Sequence, residues 1–84
     1  MTALSRTELI RKMTFVENEL SDVLLAATGG FADRCDYIVD GPEEYVVVTL
    51  DRDASPSTLN VNVTSDSRWA ILKDVMKAVA KRYE

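Results

Sequence analysis

The sequence predicts a two-layer α+β fold in the order α-β-β-β-α: a three-stranded antiparallel meander with both helices on one face, in a single domain spanning 1–84. Three observations carry this. Apolar residues recur at three- and four-residue steps near both ends of the chain, they recur at every second residue between, and the connections are short enough to join neighbouring strands. A chain of 84 residues holds one hydrophobic core and no more.

The first helix has both ends marked. Ser5 and Glu8 have the spacing of a capping box, with Leu4 and Leu9 placed as a hydrophobic staple, so the helix should start near Ser5. Leu9, Met13, Val16, Leu20, Val23 and Ala27 then fall on one helical face, which Leu24 widens. Gly29 and Gly30 can adopt the left-handed conformation that ends a helix.

From Phe31 the period becomes two. Cys35, Tyr37 and Val39 alternate with Asp36, Ile38 and Asp40 as in a half-buried strand. Gly41 and Pro42 turn the chain, and the β-branched run Tyr45–Leu50 is the strongest strand signal. In the third strand Leu59, Val61 and Val63 should face the core and Asn60, Asn62 and Thr64 the solvent. The last segment reads as a helix capped by Ser65 or Asp66, with Trp69, Leu72, Val75, Met76, Val79 and Tyr83 on the face that packs against the sheet.

The segment Asp51–Thr58 has oxygen-bearing side chains at alternate positions, as a calcium loop does. Its sixth and twelfth positions are Pro56 and Asn62 where that loop needs Gly and Glu, and strands flank it rather than helices, so it reads as a polar hairpin loop. No other metal or cofactor signature is present. The chain has no His and a single Cys, Cys35, which removes the usual general base and nucleophile pairs and reads as a small buried hydrophobe. The paired acids Glu43 and Glu44, or Asp51 and Asp53, stand in turns that do not provide the burial acid-base work requires, so a small enzyme ranks third among the functional readings. No basic start followed by an apolar run opens the chain and no later stretch approaches about 18 apolar residues, so the expectation is a cytoplasmic protein without a membrane partner.

Charge is unevenly spread over a net −4. Residues 31–66 hold eight acids against two arginines, and residues 67–84 hold five basic residues against two acids. Lys73, Lys77 and Lys81 form a basic ridge at four-residue spacing that could follow phosphates, which makes a nucleic-acid-associated accessory domain the alternative reading. Asp74 interrupts the ridge, and the overall acidity with a pI near 4.7 opposes attraction to nucleic acid.

Two apolar features are left over from the core. Phe15 falls beside the first helix's apolar stripe among Glu8, Glu19 and Asp22, and the outward face of the sheet should carry Ile38, Tyr45 and Val47 next to Thr49, Asn60 and Asn62. The reading that follows is a small non-enzymatic partner-binding or regulatory protein, an inhibitor or adaptor of bacterial or phage type. It would bind through Ile38, Tyr45 and Val47, with Phe15 as the next anchor, and with Asp40, Glu43, Glu44, Asp51 and Asp53 as an acidic rim that selects a basic partner protein. The same patch could pair two copies into a homodimer.

Overall fold

The structure is a computed structural model that describes residues 6–50 and 57–83, of Tyr83 the backbone only. The expected order and topology are observed. An N-terminal helix precedes strands β1 (Ala32–Asp40), β2 (Glu43–Leu50) and β3 (Ser57–Asn62), which form an antiparallel sheet in the order β1-β2-β3, and a C-terminal helix α3 (Arg68–Tyr83) follows. Leu4 and Ser5 of the expected cap and staple, and residues 51–56 of the expected loop, lie outside the described residues.

The N-terminal helix is not uniform. An α-helical part α1 (Arg6–Thr14) passes into a π-helical part (Phe15–Leu20) and then into α2 (Ser21–Ala27). The π segment explains which residues are buried. The covered stripe is Lys12, Val16, Leu20 and Leu24, whereas Met13 and Val23, expected on it, are exposed and so is Ala27. In a regular α-helix twelve residues turn about 1200°, so Leu24 would stand roughly 120° away from Lys12. One extra residue in the i→i+5 turn removes about 100° of that drift and keeps an exact four-residue repeat on one side. The helix ends as the two glycines predict: Gly29 and Gly30 both have positive φ, and the Gly30 N–H reaches the Leu25 carbonyl at 3.0 Å.

The helix also closes the free edge of β1. Cys35 N–H donates to Ser21 Oγ at 2.9 Å, Tyr37 N–H to the Glu17 carboxylate at 3.3 Å, and Ala32 N–H to Thr28 Oγ1 at 2.9 Å. These are groups that a strand edge would otherwise offer to another chain. Ser21 can reach Cys35 because it follows the π segment directly.

Strand register sorts the side chains into two faces. Cys35, Val48 and Leu59 form one cross-strand row and Tyr37, Val46 and Val61 the next, all on the side covered by helices. With Val16, Leu20, Leu24, Ala32, Leu50, Val63, Ile71, Val75 and Val79 they make the core, although Leu59 and Val61 are only half-buried. Cys35 is buried, as its apolar reading expects, and burial pushes its thiol up to about 11 against a lowering hydrogen bond from Ser21. Val39, expected beside Cys35 and Tyr37, is exposed. Its cross-strand neighbour is Glu44, so the covered face changes there from apolar to polar.

The second helix begins later and is turned further than its sequence suggests. Ser67, rather than Ser65 or Asp66, is the N-cap: its Oγ accepts from the Ala70 N–H at 3.2 Å and its carbonyl from the Ile71 N–H at 2.8 Å. The buried stripe is Ile71, Val75 and Val79, flanked by half-buried Leu72 and Met76. Trp69 is therefore not core. It stands about 120° around the helix from Val75 and is 80% exposed. A large side chain with so little to lose on truncation predicts that Trp69→Ala melts cooperatively within about 0.5 kcal/mol of the wild type, as denaturant titration would show. A loss of several kcal/mol would mean that the indole is packed.

Candidate partner-binding surface

The outward face of the sheet is as the alternation predicts. Ile38, Tyr45 and Asn62 are cross-strand neighbours in one row, Asp36, Val47 and Asn60 in the next, and Arg34, Thr49 and Thr58 in the third. Both helices lie on the other side, so no described element covers these rows. Ile38 is 46% exposed, and Tyr45 and Val47 are half-buried only by their neighbours within the sheet. Ile38, Val39, Asp40, Tyr45, Val47 and Asn60 line an open depression of about 490 Å³.

Polar groups fix the patch in place. Tyr45 Oη donates to Glu43 Oε2 at 2.7 Å and Asn62 Nδ2 donates to the same oxygen at 3.0 Å, which ties the phenol tip to both neighbours. The Glu43 carboxylate in turn raises the pKa of Tyr45 above its ordinary value, so the tip remains a neutral donor. Arg34 and Asp36 pair at 3.1 Å and largely cancel each other. Asp40 and Glu43, both exposed at the hairpin end, leave that end negative.

Glu44 does not belong to this rim. It lies on the covered face with 6% exposure, and its Oε1 accepts from Lys12 Nζ at 2.8 Å and from the Tyr37 hydroxyl. Its Oε2 accepts from the Ser65 N–H at 3.1 Å, its own N–H donates to Thr64 Oγ1 at 2.9 Å, and its carbonyl accepts from the Val63 N–H at 2.9 Å. Burial alone would raise the Glu44 pKa; the hydrogen bonds from Lys12, Tyr37 and Ser65 outweigh it and hold the carboxyl below its usual range. The signal was present in the sequence, because Glu44 has the same parity as Val46, Val48 and Leu50, and Lys12 stands four residues before Val16 on the apolar stripe. Reading Glu43 and Glu44 together as turn acids concealed it.

A second acid pair adjoins this cluster. Asp66 follows Ser65, whose φ of 65° is uncommon for a residue with a side chain, and it faces Asp74 of α3. Burial, then the Asp74 carboxylate, push Asp66 up from its usual 3.8 to about 6; Lys12 opposes the rise and Glu44 adds to it. Among the described residues no three His, Cys, Asp or Glu side chains are gathered to hold a metal ion.

The other expected contact residues lie elsewhere. Phe15 is half-buried against the core and, with Glu19, Arg68 and Trp69, lines a hollow of about 200 Å³ on the helical side, so it does not join Ile38, Tyr45 and Val47. Asp51 and Asp53 lie outside the described residues. Lys73, Lys77 and Lys81 are exposed on the side of α3 away from the core, with exposed Trp69 one turn before Lys73. No helix among the described residues is long and apolar enough to cross a membrane.

Compared with protein-family models, curated proteins and solved structures, the chain finds no match in any of the three.

The two acid sites give stability opposite dependences on pH. Asp66 binds its proton more tightly folded than unfolded, so its contribution is lost as pH rises from about 4 to about 6. Glu44, held low, contributes above its unfolded value of 4.5 and loses that as pH falls through its lower folded value. The thermal midpoint should therefore rise as pH is lowered from about 7 to about 5 and fall in stronger acid. Asp66→Asn should remove the rise and keep the fall. A wild-type midpoint that is flat or falling from neutral pH to about 5 would contradict the assignment of Asp66.

Proposed function

We propose that this chain is a small non-enzymatic partner-binding or regulatory protein, an inhibitor or adaptor of bacterial or phage type acting in the cytoplasm, and that its contact surface is the outward face of the sheet. The observation that supports this is the position of Ile38, Tyr45 and Val47 on adjacent strands of a face that no described element covers. A solvated sheet face ordinarily carries polar residues at such positions, and an apolar centre within a polar rim is the anatomy of a contact surface. Tyr45 suits an interface centre, since its ring offers a large area with few rotatable bonds and its hydroxyl is already oriented by Glu43. Asp40 and Glu43 at the same end favour a partner protein with a basic surface and would quicken encounter at low salt.

The alternative, a nucleic-acid-associated accessory domain, draws support from Trp69, an exposed ring that could stack on a base beside Lys73, Lys77 and Lys81. The net charge of −4 opposes it. Quenching of Trp69 fluorescence by an oligonucleotide at physiological salt would favour this reading over the first.

Val47→Asp tests the outward face. It places a charge at the centre of the patch without touching the core, so the variant should keep the wild-type circular dichroism spectrum and lose the protein partners that wild type retains in a pull-down from its native host. Retention of the same partners by a folded Val47→Asp chain would exclude this face as the contact surface.

A further inference from the structure

The two edges of the sheet are treated differently. On β1 the outward-pointing groups at Ala32, Cys35 and Tyr37 are taken up by Thr28, Ser21 and Glu17 of the N-terminal helix. On β3 nothing comparable occurs among the described residues. The Val63 N–H bonds to the Glu44 carbonyl, so by the antiparallel alternation Val61, Leu59 and Ser57 face β2, and Thr58, Asn60 and Asn62 turn their backbone N–H and C=O groups outward. These three residues are exposed, and no described group bonds to those backbone atoms.

The devices by which proteins blunt an edge are also missing from β3. The strand Ser-Thr-Leu-Asn-Val-Asn has no charge and no proline, and its register to β2 is unbroken over Ser57–Asn62. The helical layer is displaced toward β1, because the inner-face residues Cys35, Tyr37, Val46 and Val48 are buried while Leu59 and Val61 are left half open. An added strand would satisfy the open backbone groups and cover this apolar margin together.

We propose that β3 pairs with β3 of a second copy of this chain, antiparallel about a two-fold axis at Asn60, to make a continuous six-stranded sheet. Centring on Asn60 matches every open group to another. Asn60 would exchange both bonds with Asn60 of the second copy, and Thr58 and Asn62 would each pair with the other residue across the axis. The register also sets Leu59 beside Val61 of the second copy on the inner face, at the close spacing of a non-hydrogen-bonded pair. No like charges come opposite one another, because the strand has none. A strand from an unrelated protein could use the same edge, but it would need its own alternating sequence, whereas this one is complementary to itself. The proposal does not depend on the outward face of the sheet, which remains exposed in the pair.

Sedimentation equilibrium and amide hydrogen exchange test it. Wild type should sediment at twice the chain mass at micromolar concentration, and protection of the Thr58, Asn60 and Asn62 amides should increase with concentration. Asn60→Pro removes the central donor at a position whose N–H makes no bond within the monomer, and Asn60→Lys sets two like charges face to face across the axis. Both should sediment at the chain mass with unchanged circular dichroism; should the proline variant fail to fold, the lysine variant decides. Val47→Asp should remain a dimer. A wild-type monomer with unprotected Thr58, Asn60 and Asn62 amides would overturn the pairing, as would a dimer that folded Asn60→Lys leaves intact.

Discussion

The structure depends on the buried carboxylate of Glu44. One oxygen takes hydrogen bonds from Lys12 on the N-terminal helix and Tyr37 on β1, the other takes one from the turn before α3, and the main chain of the same residue fixes Val63 and Thr64. Four elements of the fold therefore meet at one side chain. Burial of Val16, Leu20 and Leu24 supplies more free energy, at roughly 1.5–3 kcal/mol each, but apolar contact is non-directional and would tolerate the helix in several rotations and offsets. An ion pair at 2.8 Å with Lys12 7% and Glu44 6% exposed tolerates one. Breaking such a pair strands a charge in the interior, so it penalises wrong arrangements more than it stabilises the right one.

The π segment follows from that constraint. To bring Lys12 to Glu44 and still bury Leu24 twelve residues later, the helix must keep an exact four-residue repeat, which a regular α-helix cannot. The same geometry sends Glu17 and Ser21 to the edge of β1. With the helices drawn to the inner face and toward β1, the described residues leave two surfaces of the sheet uncovered: the outward rows around Tyr45 and Val47, and the edge of β3. The functional proposals rest on what the buried network leaves bare.

Much of the fold was legible because it depends on period. Alternation placed Ile38, Tyr45 and Val47 on the outward face, and the paired glycines marked the end of the first helix. What was not legible depends on interactions between segments far apart in sequence. A π turn has no signature in a 3.6-residue pattern, so that pattern puts Met13 and Val23 on the buried side where the structure exposes them. Glu44 looks like a turn acid until Lys12, 32 residues away, is placed beside it. Trp69 is the most hydrophobic-looking residue of its helix, but the phase of that helix is set by Ile71, Val75 and Val79, and bulk alone does not determine which side faces the sheet. The meander already put β3 at an edge, but that the β1 edge is taken up by Thr28, Ser21 and Glu17 depends on where the first helix lies, which periodicity does not encode.

If Glu44 organises the fold through Lys12, the two side chains must be strongly coupled, and a double-mutant cycle measures that directly. Lys12→Met and Glu44→Gln, singly and together, would be unfolded in denaturant. The account predicts that Lys12→Met, which leaves the carboxylate buried without its cation, costs about 3–5 kcal/mol, and that the double variant is less destabilised than the two single losses added together, by about 2 kcal/mol or more. Losses that add to within about 0.5 kcal/mol would show two independent side chains and contradict it.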